Sequence, residues 1–343
     1  MINLPEVNLS IEPLTRILYG AIPTKLLLTG VELKVFSHLT EPRSAESLAR
    51  RISSHPEKTQ LFLDGLVAND LLCKQDGRYR NTPLADSFLV EGRPTYLGDV
   101  FRNLTEYIRP ALENMTDLVR DGECPPVTFS DPSLEERETE IYANYQRAGG
   151  AQQVAAMISN LPEFPRMKKM LDLGGGAGLI CLAIVAAHPT LTGVIFDRPE
   201  VVEVTQQFIR EYELEDRVTV IGGDYSKDSI GDGYDLVWTS FTLNFFRGDL
   251  DPIIRKIYAA LDPGGVYVSL AEGLTDERTK PTMMINSMLL GGSASWFDEG
   301  EIAQAMLRGG FRSVHSRIAE GPQPHGPAMV DVARKQMTLQ GMK

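Results

Sequence analysis

Two patterns of apolar and polar residues divide the chain. Up to residue 69, apolar residues recur at intervals of three and four, which is typical of amphipathic helices. Gly30 is a predicted break and Ser44 a predicted N-cap within this region. The predicted helices cover residues 11–19, 21–39, 44–51 and 55–69. Apolar residues on either side of 75–78 then predict a β-hairpin. The last three of these helices, followed by the hairpin, are typical of a winged-helix domain.

Beyond residue 160, short apolar runs alternate with helical segments. The runs predict strands over residues 170–173, 191–196, 217–221, 234–239, 266–270, 311–318 and 328–334. The segments between them predict helices over residues 179–187, 201–212, 250–261 and 301–308. Such alternation predicts a parallel, doubly wound sheet, in which ligands bind at the carboxyl ends of the strands.

We therefore expect an N-terminal, mainly helical domain over residues 1–95 and an α/β domain over residues 96–343. Residues 95–120 and 135–160 predict long helices that link the two. The second of these carries Tyr142 and Tyr145, which serve either as core aromatics or as walls of a ligand pocket just before the first strand of the sheet.

A glycine cluster follows the first predicted strand. The segment 168–178 reads KKMLDLGGGAG, with one acid, Asp172, inside the apolar run. Glycine permits positive φ and lacks the Cβ that blocks close approach of a ligand to the backbone. The residues that we expect to contact a ligand here are Asp172, Gly174, Gly175, Gly176 and Gly178. The helix predicted after them presents N-terminal amides that favour an electron-rich group.

Two acids end the next two predicted strands. Asp197 lies 23 residues beyond Gly174, where a carboxylate can bind ribose hydroxyls. A dinucleotide fingerprint would require a glycine where Leu179 stands, so the ribose acid is present without that fingerprint. Asp224 and Tyr225 follow the third strand, and a carboxylate beside an aromatic ring suits an adenine.

Composition and charge narrow the classes of partner. The 343 residues are 43% hydrophobic and 23% charged, and their net charge of −12 argues against nucleic acid as a partner. The three cysteines are scattered, which indicates a reduced, intracellular protein without a zinc site. No basic leader with an apolar core and no apolar run of membrane-spanning length is present, so we expect a cytoplasmic protein with no membrane span.

Taken in order, these motifs resemble the small-molecule O-methyltransferases of the caffeate and acetylserotonin type, including their bacterial polyketide and antibiotic-tailoring relatives. The resemblance covers nearly the whole chain. It depends on GVELKVFSHL, DGLVANDLLCKQDGRYRNTPLADSFLV, LDLGGGAG, FDRPEVV, GGDY, ALDPGG and FDEGEIAQAMLRGGF. It implies a class I, Rossmann-like methyltransferase sheet, S-adenosyl-L-methionine as cofactor, and a homodimer in which the N-terminal winged-helix domains interlock.

The resemblance also implies cofactor contacts at particular positions. These are Gly174, Asp197, Asp224, Tyr225 and Ser240. The family usually carries Lys or Arg at the position of Ser240, so this chain departs from the family there.

A second departure concerns catalysis. The family has a His–Asp pair after the fourth strand, whereas this chain has Asn244 at the histidine position. An amide cannot act as a base at neutral pH, so we expect Asn244 to orient the acceptor by hydrogen bonds. An acidic hydroxyl, or a carbon or nitrogen nucleophile, needs no histidine. The remaining histidines, none of them at metal-ligand spacing, are His38, His55, His188, His315 and His325.

The acceptor pocket is expected to be apolar, because aromatic rings and flexible thioethers suit a large flat ligand. The predicted lining residues are Phe245, Phe246, Met283, Met284, Met288 and Trp296, although methionines at this density also pack ordinary cores. The leading hypothesis is methyl transfer to a hydrophobic, aromatic or polycyclic small molecule, with O-methylation favoured and C-methylation possible because Asn244 replaces the usual histidine. Two alternatives stay open: hydroxylation or decarboxylation on the same fold, and a non-enzymatic winged-helix regulator with a ligand-sensing domain. The regulator requires a basic face on residues 57–69, where Glu57 and Asp64 offset Lys58.

Overall fold

The computed structural model describes residues 8–122, 139, 142–246, 248–271, 297–319 and 328–337. The chain divides into two compact units, Met1–Arg102 and Asn103–Lys343. None of the described helices is long and apolar enough to cross a bilayer.

The N-terminal unit is built from helices around one small apolar core. Its helices are α1 (Glu12–Tyr19), α2 (Ala21–Glu32), α3 (Val35–His38), α4 (Ala45–Arg51), α5 (Pro56–Ala68) and α6 (Pro83–Phe88). Its strands β1 (Arg43–Ser44), β2 (Leu72–Gln75) and β3 (Arg78–Asn81) form an antiparallel sheet in the order β1-β3-β2. The hairpin is confirmed, and so is Ser44 as an N-cap, because its side chain accepts a hydrogen bond from the Ser47 amide.

The predicted break at Gly30 is wrong. Helix α2 continues through Gly30 to Glu32, and the chain instead turns at Lys34, which has a φ of 54°. A Cβ at Gly30 would lie 2.7 Å from the buried ring of Phe36. The glycine is therefore required by close packing within the core, and it does not end the helix.

The two long linking helices are also interrupted. The first consists of α7 (Gly98–Glu113), which contains Pro110, and α8 (Met115–Asp121), and the interruption lies at Asn114. In the second, a π-helical turn at Gln146–Gly150 precedes α9 (Ala151–Ser159). The kink lies at Gly149, whose φ of 118° is outside the helical range. Such π-helical turns are frequent at functional sites.

The C-terminal unit contains a seven-stranded sheet in the order β6-β5-β4-β7-β8-β10-β9. Its strands are β4 (Lys169–Leu173), β5 (Thr192–Asp197), β6 (Val218–Gly222), β7 (Tyr234–Ser240), β8 (Leu261–Ala271), β9 (Ser313–Ile318) and β10 (Met329–Arg334). Helices α10 (Leu179–Ala186), α11 (Val202–Glu211), α12 (Asp251–Ala260) and α13 (Glu301–Arg308) connect them. Side chains alternate along β4, so that Met170 packs in one buried cluster and Leu171 in another, on opposite faces of the sheet.

The alternation of strands and helices predicts a parallel sheet, but the observed sheet is only partly parallel. Strands β4 to β8 are parallel, whereas β10 is antiparallel to both β8 and β9. Only residues 319–328 separate β9 from β10, and a parallel crossover needs about a dozen residues or more. The carboxyl ends of β4 to β8 nevertheless meet at one edge, where the glycine cluster, Asp197 and Asn244 all lie.

Candidate functional site

The glycine turn, defined here as residues 174–178, follows β4 directly. Gly174, Gly176 and Gly178 have φ values of 73°, 56° and 76°, which an L-residue with a Cβ rarely adopts. A Cβ at Gly174 or Gly178 would lie 2.5 Å from a neighbouring side-chain atom. At Gly176, by contrast, no atom of the described residues, apart from its own chain neighbours, lies within 4 Å of that position. The backbone of Gly176 therefore faces open space, into which a ligand can approach closely.

Asp197 closes this turn onto the neighbouring strand. Its Oδ2 accepts a hydrogen bond from the Gly176 amide at 2.7 Å, and its Oδ1 accepts one from the Arg198 amide at 2.7 Å. The residue is only 7% exposed, at the carboxyl end of β5. A carboxylate can accept about four hydrogen bonds, so this structural role is compatible with binding ribose hydroxyls.

Two threonines that sequence reasoning missed also hold the glycine turn. Thr242 donates from Oγ1 to the Leu173 carbonyl at 2.8 Å, and Thr205 donates from Oγ1 to the Gly176 carbonyl at 2.7 Å. Both threonines are buried. Thr205 lies on α11, and its hydroxyl is also within hydrogen-bond distance of the carbonyl of Val201, four residues earlier. Threonines in helices commonly bond in this local way, so the sequence does not predict the contact with Gly176.

Asp172 lies beneath the turn. A Cβ on Gly175 would be 2.9 Å from its Oδ2, a buried atom with no hydrogen-bond partner among the described residues. Burial and, second to it, the nearby Asp197 carboxylate raise the pKa of Asp172 to about 7, although a hydrogen bond from the Cys181 backbone opposes them. Asp172 therefore supports the turn from inside the sheet, and its role as a cofactor residue stays a prediction.

The segment after β6 carries an acid, Asp224, and an aromatic residue, Tyr225, whose ring adjoins two other aromatic rings. The Asp224 carboxylate accepts hydrogen bonds from Ser226 and pairs with Lys227 Nζ at 2.7 Å, which lowers its pKa to about 2. The Tyr225 ring lies 6.4 Å from that of Phe196 and 5.9 Å from that of Phe246. Phe246, predicted for the acceptor pocket, thus adjoins the residue predicted for the adenine.

A cavity of about 240 Å³ opens beside the glycine turn. It is lined by Thr139, Tyr142, Ala143, Gln146, Gly176, Ala177 and Arg198. Tyr142 therefore faces Gly176, whereas Tyr145 is half-buried and is not among the lining residues. Arg147 fastens this segment to α11 through Glu211, at 2.6 Å and 2.7 Å, and lies 4.7 Å above the Phe208 ring.

The segment after β7 carries the predicted acceptor residues. Ser240, which was predicted for the cofactor, is the last residue of β7. Asn244 is half-buried, and its backbone amide donates to the Phe241 carbonyl at 3.1 Å. Phe245 is 79% exposed, so it does not wall a pocket formed by the described residues alone. Four further predicted lining residues lie outside the described part of the chain, namely Met283, Met284, Met288 and Trp296.

Neither of the described histidines of the C-terminal unit lies at this edge of the sheet. His188 is buried near the amino end of β5, where its Nδ1 accepts hydrogen bonds from the amides of Thr190 and Leu191. His315 pairs with Val332 in the middle of the edge strand β9. His38 and His55 belong to the N-terminal unit, and His325 lies outside the described residues. Within those same residues, no group of three or more metal-ligating side chains comes together.

These groups fit an adenosyl ligand. The open face of Gly176 admits a close backbone approach, Asp197 supplies a carboxylate beside it, and Tyr225 supplies an aromatic face at the neighbouring strand.

Comparison with known proteins agrees with this geometry. An O-methyltransferase domain model matches residues 115–311, and an O-methyltransferase dimerisation domain model matches residues 15–91. Among curated relatives, the tetracenomycin polyketide synthesis 8-O-methyl transferase TcmO of Streptomyces glaucescens is 27% identical over 323 residues, covering 90% of this chain and 93% of the relative. The N,N-dimethyltransferase OxyT of Streptomyces rimosus is 28% identical over 305 residues, covering 84% of this chain and 87% of the relative.

A solved structure shows the same fold. Human N-acetylserotonin methyltransferase in complex with SAM aligns with a TM-score of 0.76 at 21% identity, covering 98% of this chain and 100% of that chain. At this identity the likeness concerns the fold alone. It confirms the Rossmann-like methyltransferase sheet, preceded by a mainly helical N-terminal region, that the sequence predicts.

Replacing Asp197 by alanine tests the cofactor site. The variant loses a charge-assisted acceptor and the bond that holds Gly176, so we expect S-adenosylmethionine binding to weaken by about 1.5–3 kcal/mol. Titration calorimetry on the purified proteins measures this. The control is Asp216→Ala, which removes one exposed acid elsewhere. Equal affinities of the two variants would remove Asp197 from the site.

Proposed function

Because this chain belongs to the O-methyltransferase family and takes S-adenosylmethionine as its methyl donor, we propose that it methylates a hydroxyl group on a hydrophobic, aromatic or polycyclic small molecule. The observation that carries the proposal is the crevice at the carboxyl ends of β4 to β7. There Gly176, whose amide donates to Asp197 and whose Cα faces open space, lies on the same edge of the sheet as the aromatic pair Tyr225 and Phe246. The 27% identical relative whose name specifies a polyketide 8-O-methyl transferase supports a polycyclic phenol as acceptor.

Positioning carries the chemistry in this proposal. Bound S-adenosylmethionine supplies a methyl group that is already strongly electrophilic. The glycine turn and Asp197 hold the adenosyl part, and Tyr225 lies against the adenine. Asn244 orients the acceptor oxygen by hydrogen bonding and takes no proton, because an amide is not a base at neutral pH. Alignment can supply much of the rate, whereas a general base typically adds only about 10²–10⁴-fold.

This division of labour favours acidic hydroxyls. A phenol on a polycyclic, electron-poor ring ionises readily in water, so it needs little help from a protein base. An amine nitrogen with a free lone pair has the same advantage. The N,N-dimethyltransferase among the relatives therefore makes nitrogen the second candidate for the methylated atom. No described residue specifically favours hydroxylation, decarboxylation or ligand sensing.

Transfer of a labelled methyl group tests the proposed function. Purified protein and methyl-labelled S-adenosylmethionine are incubated with a panel of polycyclic phenols, aryl amines and a cell extract, and the labelled products are identified by mass spectrometry. We expect label on a phenolic oxygen, and much less label with Asp197→Ala. Label on nitrogen alone would establish the second candidate instead. Absence of transfer to any compound in the panel or the extract would contradict the proposal.

Asn244 variants test whether positioning replaces the base. Asn244→Ala should lower kcat without changing how activity falls at low pH, because an amide does not titrate there and causes none of that fall. Asn244→His should speed methylation of weakly acidic hydroxyls, and this gain should disappear below about pH 6 as an imidazole with an ordinary pKa of ~6.5 becomes protonated. The measurement is a pH profile of each variant on the phenol panel. If the wild type loses activity at low pH as a catalytic base is protonated, and this dependence is absent from Asn244→Ala, then Asn244 supports a base and the prediction is wrong.

Homodimer formation is part of the proposal and is supported by helix α1. Its apolar side chains are exposed, with Ile17 at 77%, and no residue of the helix is buried. The exposed set is Leu9, Ile11, Leu14, Ile17, Leu18, Tyr19 and Ile22. Such a face is normally covered in the native protein, and a two-fold dimer covers it in both copies at once.

Charge placed on this face should dissociate the dimer. We expect the double variant Leu14→Asp/Ile17→Asp to be monomeric by light scattering at micromolar concentration, because burying two carboxylates in an apolar interface is unfavourable. Thr24→Asp places a similar charge at an exposed polar position of α2 and should leave the dimer intact. A wild-type protein that is already monomeric would contradict the proposal.

A further inference from the structure

The segment after β7 makes a strained turn, which we define as the acceptor turn, residues 240–246. Phe241 has a φ of 59°, in a region that bulky side chains rarely adopt. Its amide nevertheless donates to the Leu270 carbonyl of β8 at 2.7 Å. Strained residues of this kind persist only where surrounding contacts hold them, and they cluster at functional sites.

Thr242 holds the other side of the acceptor turn. The ladder between β4 and β7 ends at the pair Asp172 and Trp238. One residue further along β4, the carbonyl of Leu173 accepts a hydrogen bond from Thr242 Oγ1 at 2.8 Å. A side-chain hydroxyl thus provides a link between the two strands just where their backbone pairing stops and the crevice begins.

Thr242 and Gly174 also fit each other sterically. A Cβ on Gly174 would lie 2.5 Å from Thr242 Oγ1 and 2.7 Å from its Cγ2. The threonine side chain therefore occupies the space that the glycine leaves, and the first residue of the glycine turn is in contact with the acceptor turn. On its other side, the Gly174 amide donates to the Phe196 carbonyl at 2.8 Å.

We propose that Thr242 is a positioning residue, whose hydroxyl makes the glycine turn and the acceptor turn move as one unit. A cofactor bound against the glycine turn then also orders the acceptor turn. The ordering extends to Asn244, because its backbone amide donates to the Phe241 carbonyl within the acceptor turn. The inference concerns the coupling of the two turns within the methyltransferase unit, and it does not depend on the identity of the acceptor.

Hydrogen exchange with S-adenosylhomocysteine as the probe tests this coupling without an acceptor. In the wild type, the probe should slow amide exchange both in residues 174–180 and in residues 241–246. In Thr242→Val the first effect should persist, while the protection of residues 241–246 falls by about two- to tenfold, the change that one hydrogen bond makes. Thr242→Ser keeps the hydroxyl and should behave as the wild type.

Thr239→Val is the matched control. Thr239 lies on β7, three residues before Thr242, and is likewise buried, but its hydroxyl bonds to that of Tyr267 at 2.9 Å and not to the carbonyl of Leu173. This variant should keep the coupling. Wild-type protection of residues 241–246 in Thr242→Val, its loss in Thr242→Ser, or its absence in the wild type would each overturn the proposal. If Thr242→Val does not bind the probe, the same comparison between Thr242→Ala and Thr242→Ser decides the question.

Discussion

The hydrogen bond from the Gly176 amide to the buried Asp197 carboxylate organises the functional edge of this protein. A carboxylate that is 7% exposed must find donors, and here it finds them in the glycine turn and in the backbone just after β5. The same bond fixes the open face of Gly176 beside an acid. The adenosyl site that we propose therefore uses groups from two adjacent strand ends.

Other contacts restrict this turn from three sides. Thr205 holds the Gly176 carbonyl from α11, Thr242 holds the Leu173 carbonyl from beyond β7, and Asp172 packs beneath Gly175. The glycine turn is therefore held by contacts from three other elements. In the proposed mechanism the acceptor is placed by the turn at Phe241, which has a φ of 59°, so the rate depends on how well that turn is held.

The features that follow from local sequence were predictable. Consecutive glycines after an apolar run, and an acid at the end of the next run, specify the turn and Asp197 because both depend on neighbouring residues along the chain. Gly30 was misjudged because its reason is the ring of Phe36, a tertiary contact. The roles of Thr242 and Thr205 could not be read from sequence, since a hydroxyl can bond to any nearby carbonyl. The antiparallel β10 could have been predicted from its short connection to β9.

A crystal structure of the protein with S-adenosylhomocysteine would show whether the glycine turn and Asp197 hold the ligand. We expect ribose hydroxyls within hydrogen-bond distance of the Asp197 carboxylate, the ligand against Gly176 in the cavity that Tyr142 lines, and the adenine beside Tyr225. A ligand bound elsewhere, or a ribose turned away from Asp197, would contradict this expectation.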